Sequence, residues 1–296
     1  MMRIPATVRA FAPAKVNLGL EVIRHRPDGY HEIETLFQAL DFGDDLEFSM
    51  SSESNGLELH VEGDYQEIGP RNVVERVYER LREAFPAQAT GLTVKLIKRV
   101  PIGAGLGGGS SDAAATLLAL NRLWGLELAE TRLQELALEM GSDVPFFLKG
   151  GTAIGRGRGE RLDPVGPLRR GAFLLVNPGF SVSTAWAYNQ LKMGLTRNLY
   201  RISVEQVKAY LSRFPSPGMV IRNRLEDVIF PAFPVMGEIA EALKQGGAVH
   251  AVMSGSGATV FGTFPDCPSA ERARVEMGDT WQCWVACPLP SGIRID

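Results

Sequence analysis

The chain is predicted to fold as an α+β protein of two domains, and three observations carry that expectation. At 296 residues it is long enough for roughly two domains of ~150 residues each. Strand-like and helix-like segments follow one another without the even strand-helix alternation of a parallel, doubly wound sheet. A glycine-rich turn at 101–112 feeds a long Ala- and Leu-rich helix in the first half, and the second half has strands and helices of its own.

Residues 8–11 and 16–23 read as short strands on either side of Pro13 and Ala14, and 33–40 and 45–49 continue the β character. Residues 57–61 give another strand. Over 72–85 apolar side chains fall at Val73, Val74, Val77, Leu81 and Phe85, a helical spacing that Pro86 closes. Strand 92–97 leads into the glycine-rich turn, after which helices 110–124 and 128–140 stop at Gly125 and Gly141. Residues 150–155 turn back into strand. The loop 155–159, rich in Gly and Arg, sets the expected boundary between a domain of 1–158 and one of 159–296. Beyond it, 173–177, 249–253, 259–264 and 281–287 are strand candidates, with helices over 184–191, 204–214, 233–245 and 270–277. That mixture suits helices packed on one side of an antiparallel sheet.

Composition narrows the function classes. Apolar residues at 45% and charged residues at 22% match an ordinary globular chain, which sets aside disorder and fibrous structure. With 31 basic and 34 acidic side chains the net charge is -3, so the basic excess that phosphate neutralisation gives a nucleic-acid binder is absent. Cys267, Cys283 and Cys287 are too few for a disulfide framework and have no companions for a zinc site, and are read as reduced thiols. The uncharged stretches 171–191 and 245–265 are broken by Asn177, Pro178 and Gly179 in the first and by Gly246, Gly247, Gly255 and Gly257 in the second, so neither is a continuous apolar span. Arg3, Arg9 and Lys15 scatter through 1–20 without an apolar core for a secretion signal, and a cytoplasmic protein without a membrane or nucleic-acid partner is expected.

The most informative segment is Pro101-Ile102-Gly103-Ala104-Gly105-Leu106-Gly107-Gly108-Gly109-Ser110-Ser111-Asp112, between a strand and a strong helix. Glycines let a ligand approach the backbone, and the helix start offers unpaired N–H groups and a positive dipole end, a combination suited to a phosphate chain. Gly103, Gly105 and Gly108 satisfy G-x-G-x-x-G, but the acidic residue a dinucleotide fold needs on a second strand is missing, because Glu127 lies between two helices. A Walker A loop fails as well, since Gly109 stands where its Lys should be. The structural alternative is a glycine-rich helix entry capped by Ser110 or Ser111.

This loop resembles the phosphate-binding segment of the GHMP kinases. Three further strings carry the resemblance along nearly the whole chain: Pro13-Ala14-Lys15-Val16-Asn17-Leu18 followed by Arg26-Pro27-Asp28-Gly29-Tyr30-His31, then 141–147 (GSDVPFF), then Ser254-Gly255-Ser256-Gly257-Ala258. The Asp-Gly-Tyr-His segment is the most specific and resembles those members that act on a cytidine diphosphate conjugate of methylerythritol. The resemblance implies an N-terminal domain like ribosomal protein S5 domain 2, a ferredoxin-like C-terminal domain, and a site in the cleft between them. It implies ATP as co-substrate with Mg²⁺, and transfer of the γ-phosphate to a tertiary alcohol in a non-mevalonate route to isoprenoids.

By the same resemblance Lys15 is the cation at the reacting centre and Asp143 the general base, which suits a phosphoryl transfer that depends on positioning and charge neutralisation. Taken alone, Lys15 reads as a solvated edge-strand residue and Asp143 as a helix N-cap between Gly141 and Pro145. Tyr30 and His31 are expected to hold the cytosine by stacking and hydrogen bonding, with Tyr188 on the other face of the base. Asn17 is expected to reach substrate hydroxyls, and residues 254–258 to form a second backbone cradle. For Mg²⁺ only Ser111 is a candidate contact, with Asp112 left as a cap and the ligand set open. Another GHMP kinase, such as a homoserine kinase, and a non-catalytic RNA-binding module are the alternatives. The stretches 65–71 and 191–203 carry no recognisable pattern.

Overall fold

The computed structural model describes residues 6–51, 55–63, 72–191, 203–217 and 221–296. The stretches without a recognisable pattern, 65–71 and all of 191–203 but its two end residues, lie outside them.

Two antiparallel ribbons dominate the first sheet, β1 (Thr7–His25) and β2 (His31–Ser51), joined by a short turn. Each is longer than the sequence suggests, because Pro13 does not end β1. Pro lacks the ladder N–H and survives inside a strand only at an irregularity. The pairing shifts register between Pro13 and Lys15 and again between Asn17 and Gly19, and those irregularities flank the residues that matter most. β3 (Leu57–Gly63) lies parallel to β4 (Gly91–Lys98), and β4 pairs with the second half of β2. β5 (Thr152–Gly157) pairs with the first half of β2, and β6 (Arg161–Pro164) with β5.

Helix α1 (Val73–Ala84) begins in a capping box in which the Asn72 side chain accepts from Val74 N–H and Glu75 reaches back to Asn72. Then come α2 (Gly108–Leu123), α3 (Glu130–Met140) and α4 (Val144–Lys149). Val77, Leu81, Leu117, Leu120 and Phe146 pack against Phe37, Phe48 and Val94 of the sheet, forming the first core.

The second sheet is wholly antiparallel in the order β10-β7-β9-β8, built from β7 (Ala172–Asn177), β8 (His250–Met253), β9 (Val260–Phe264) and β10 (Gln282–Ala286). Its helices are α5 (Thr184–Gln190), α6 (Val204–Leu211), α7 (Glu226–Ala232), α8 (Pro234–Gln245) and α9 (Cys267–Met277). A separate apolar cluster joins the two sheets, with Val16, Leu18 and Leu36 from the first meeting Phe173, Leu175 and Phe261 from the second. β11 (Arg294–Ile295) returns to pair with β1.

Several expectations need adjusting. The 158/159 turn connects β5 to β6 within the first sheet, and the change of sheet comes only between Pro164 and Ala172; we place the boundary in that linker. Strands β6 and β11 and helix α7 are too short to show a hydrophobic period. Helix α2 starts at Gly108 with left-handed Gly107 as its N-cap, so Ser110 and Ser111 sit in the first turn and cap nothing. Cys267 and Cys287 form a disulfide, leaving Cys283 as the free thiol in place of three reduced ones. Among the described residues no helix is long and apolar enough to cross a membrane.

Candidate active site

A cleft of about 850 Å³ runs between the glycine-rich turn, the β1–β2 ribbon and α5. The sequence-predicted residues Lys15, Asn17, Tyr30, His31, Asp143 and Tyr188 all line it, as do most of 101–110 and Gly255 and Ser256. Leu106, Ser111, Ser254 and Ala258 are buried beneath that lining and hold it up.

Lys15 enters from the β1 irregularity, where its backbone N–H donates to Leu106 O at 2.9 Å instead of continuing the ladder regularly. The side chain is only 3% exposed, so the reading of a solvated edge-strand Lys does not hold. Its Nζ donates to Asn17 Oδ1 at 2.5 Å and lies 3.5 Å from Asp143 Oδ2. Burial lowers the Lys15 pKa, and the Asp143 carboxylate opposes that shift only in part. Asn17 donates in turn to Thr35 Oγ1 at 2.8 Å. Both ends of its side chain therefore serve to hold Lys15, although the residue lines the cleft. Asp143 precedes α4 in helical backbone geometry and makes no side-chain cap. Its carboxylate faces Lys15, which the N-cap reading did not foresee.

The glycine-rich turn is pressed against the second glycine loop. Gly105 has φ +77°, and a Cβ there would stand 2.0 Å from Ser254 O. Ser254 Oγ donates to Gly105 O at 2.9 Å and accepts from Asn17 N–H at 3.3 Å, so one hydroxyl ties β1 to both loops. The N–H groups of Gly108, Gly109 and Ser110 have no carbonyl four residues back inside α2, and they open the helix toward the cleft. A side chain at Gly107 would meet Phe147 at 2.8 Å and Lys15 at 3.1 Å, whereas Gly109 has nothing within 4 Å. Gly109→Val is accordingly the clean test of the cradle: ATP affinity should drop at least tenfold by calorimetry while the melting temperature holds, because only ligand space is filled. Unchanged ATP affinity would remove the turn from nucleotide binding.

At the other end of the cleft Tyr30 is 54% exposed and carries the Arg158 guanidinium 4.7 Å above its ring. The His31 ring leans on Tyr188 at 5.1 Å and meets His25 edge-on at 5.0 Å. Burial and then the neighbouring His25 lower the His31 pKa, which favours a neutral imidazole able to donate and accept. Burial, with a further contribution from Asp143, raises the Tyr188 phenol, so it stays protonated.

Two groups of residues escaped the sequence reading. Lys98 Nζ lies 2.7 Å from Asp44 Oδ2 and 2.8 Å from Asp112 Oδ2, in a buried triad under the start of α2. Asp44 also accepts from the N–H groups of Arg99 and Val100. Burial pushes the Asp112 carboxyl up to about 7 despite Lys98. Asp112 is thus the partner of a buried cation, not a cap.

The second group clamps the other glycine loop. Asn223 Nδ2 donates to Met253 O at 2.8 Å and Gly255 O at 2.7 Å, while Glu226 Oε1 accepts from Met253 N–H at 2.7 Å. Leu20 of β1 bonds Arg222 O and Arg224 N–H on either side of Asn223. Glu226 is pushed up to about 7 by burial, opposed by the Met253 N–H. The folded protein therefore holds this proton more tightly than the unfolded chain, and stability falls as pH rises from about 4.5 to 7. Glu226→Gln keeps an acceptor for Met253 N–H and cannot ionise, so its urea midpoint should decline less steeply than wild type over that range. Parallel pH profiles would show that Glu226 does not titrate there.

A buried cation faces a carboxylate beneath a glycine-rich turn, and the fold around them is that of the GHMP kinases, a class of small-molecule phosphotransferases. The family models described as GHMP kinases N terminal domain and GHMP kinases C terminal match residues 72–151 and 195–283. The chain is 42% identical over 267 residues to the 4-diphosphocytidyl-2-C-methyl-D-erythritol kinase of Pelotomaculum thermopropionicum, covering 90% of this chain and 92% of that protein. The enzyme of the same name from Geobacter sulfurreducens is 39% identical over 88% of this chain and 91% of its own length. A crystal structure of 4-(cytidine 5'-diphospho)-2C-methyl-D-erythritol kinase superposes with a TM-score of 0.80 at 36% identity, covering 94% of this chain and 98% of that one. Homoserine kinase from Cytophaga hutchinsonii, at 19% identity and a TM-score of 0.69, shares the fold alone. The chain belongs to the 4-diphosphocytidyl-2-C-methyl-D-erythritol kinase family of the GHMP kinases.

Proposed function

We propose that the protein is a cytoplasmic kinase that transfers the γ-phosphate of ATP to the 2-hydroxyl of 4-diphosphocytidyl-2-C-methyl-D-erythritol, yielding the 2-phosphate and ADP. The observation that carries this reading is a single cleft that combines the Lys15–Asp143 pair, the glycine cradle and the Tyr30, His31 and Tyr188 rings. The reaction belongs to non-mevalonate isoprenoid precursor synthesis.

In this reading the hydroxyl oxygen forms a bond to the γ-phosphorus as the bond to the bridging oxygen breaks, and ADP leaves with that electron pair. Asp143 accepts the hydroxyl proton, so the attacking oxygen gains nucleophilic character without free alkoxide forming in water. Lys15, fixed by Asn17, offsets negative charge growing on the transferred group, and its low exposure strengthens that interaction. The N–H groups at the start of α2 hold the phosphate chain. Stacking on Tyr30 or Tyr188 contributes about 1 to 3 kcal/mol toward holding the base.

Magnesium belongs to the same proposal. Ser111 Oγ and Asp112 Oδ1 are buried at the start of α2 without hydrogen-bond partners, and such hard oxygens fit a small divalent cation. Among the described residues no trio of carboxylate, His or Cys side chains stands together as a metal cage. When bound, the ion would neutralise phosphate charge.

Release of ADP tests the reading when the cytidyl polyol, homoserine and mevalonate are offered separately as acceptors. Turnover with the first and none with the others is expected. Turnover with homoserine or mevalonate alone would reassign the substrate, and salt-sensitive RNA binding without ATP binding would remove the kinase.

A further inference from the structure

Among the described residues three Lys or Arg side chains line the cleft, and two of them face carboxylates: Lys15 faces Asp143, and Lys98 faces Asp44 and Asp112. Arg158 is the third. It is half-buried, and among the described residues no carboxylate forms an ion pair with its guanidinium. The acidic groups nearby have closer partners: Asp28 pairs with Arg26 at 2.8 Å and feels Arg158 only at longer range, and Glu160 accepts from the backbone N–H of Arg158 itself at 2.5 Å. With no direct ion pair among the described residues, the planar fork of Arg158 is available to an anionic ligand.

Its place in the fold says what that anion would be. The guanidinium stands over the Tyr30 ring, at the end of the cleft that holds the aromatic cluster. One residue further on, a Cβ at Gly159 would come 3.7 Å from Asp143 Oδ1, at the reacting end. The β5–β6 turn therefore spans from a base-stacking aromatic to the general base. In a ligand that joins a nucleoside to an alcohol through a diphosphate, the diphosphate occupies that middle stretch. We infer that Arg158 forms an anion subsite for the diphosphate of a nucleoside diphosphate conjugate, its planar fork taking two phosphate oxygens while its face stays on Tyr30. The inference rests on the proposed reading of the cleft as the site for a cytidine diphosphate conjugate, and it adds a binding residue that the glycine loops do not provide.

The test is calorimetry on the full-length protein, wild type against Arg158→Gln and Arg158→Lys, with CDP, cytidine and ATP as separate titrants. A lost charge-assisted contact corresponds to a tenfold to hundredfold change. Arg158→Gln should weaken CDP by about that factor, weaken cytidine by less than about threefold, and leave ATP unchanged, which also reports an intact fold. Arg158→Lys should fall between, keeping the charge and losing the fork. Equal losses for CDP and cytidine would make Arg158 a support for Tyr30 and overturn the subsite, as would unchanged CDP affinity. A wild-type protein that binds neither cytidine ligand would overturn the reading of the cleft itself, an outcome distinct from both.

Discussion

Turnover of Asp143→Asn should fall by about a hundredfold or more, the usual range for loss of a general base, with ATP affinity and melting temperature nearly unchanged. The structural alternative, a helix cap, would have made Asn almost equivalent to Asp. That alternative lacks its contact, because the Asp143 side chain caps nothing in α4 and points at Lys15 across 3.5 Å. Asn cannot accept the hydroxyl proton. Lys15 would still donate to Asn17 Oδ1 at 2.5 Å, which keeps the site assembled in the variant. Steady-state kinetics and a thermal melt on one preparation separate the two roles. Near-normal turnover would leave the proposed chemistry without a base.

The second large effect is on stability. Lys98→Met should destabilise the protein by about 3 to 5 kcal/mol, the usual cost of breaking a buried ion pair by removing one partner. Two carboxylates would remain without their cation, Asp44 fully buried and Asp112 2% exposed. The sign with pH follows from the direction of the carboxyl shift. Asp112 already sits up at about 7 in the folded protein, above its unfolded value, so folding takes up protons and stability declines as pH rises through that interval. Without Lys98 the Asp112 carboxyl loses the cation that holds it down and rises further, so the deficit in urea unfolding should be smaller near pH 5 than near pH 8. A loss below about 1 kcal/mol at neutral pH would mean that the triad is not a structural support for α2.

Much of the site could be read from short strings because their residues are close in sequence. Lys15 and Asn17 occupy one irregular stretch of β1, and the turn at 101–112 enters a helix as its glycines suggested. What could not be read were relations made by pairing. Asp44 and Lys98 are 54 positions apart and meet only because β2 and β4 lie side by side, so neither looked special within an alternating strand. Asn223 gives no local signal, since its partners Met253 and Gly255 belong to another hairpin. Arg158 was noticed only as part of a Gly- and Arg-rich loop, and its position over Tyr30 depends on the β5–β2 register. The long ribbons were underestimated because Pro13 and the turns in register look like strand ends in one dimension, whereas the sheet absorbs them as irregularities.

The measurement that bears most directly on the account is a crystal structure of the ternary complex with 4-diphosphocytidyl-2-C-methyl-D-erythritol and a non-hydrolysable ATP analogue. The account predicts the 2-hydroxyl within hydrogen-bond reach of both Asp143 and Lys15, the terminal phosphate over the N–H groups of Gly108, Gly109 and Ser110, and the cytosine among Tyr30, His31 and Tyr188. A 2-hydroxyl far from Asp143, or a nucleotide bound away from the glycine turn, would contradict it.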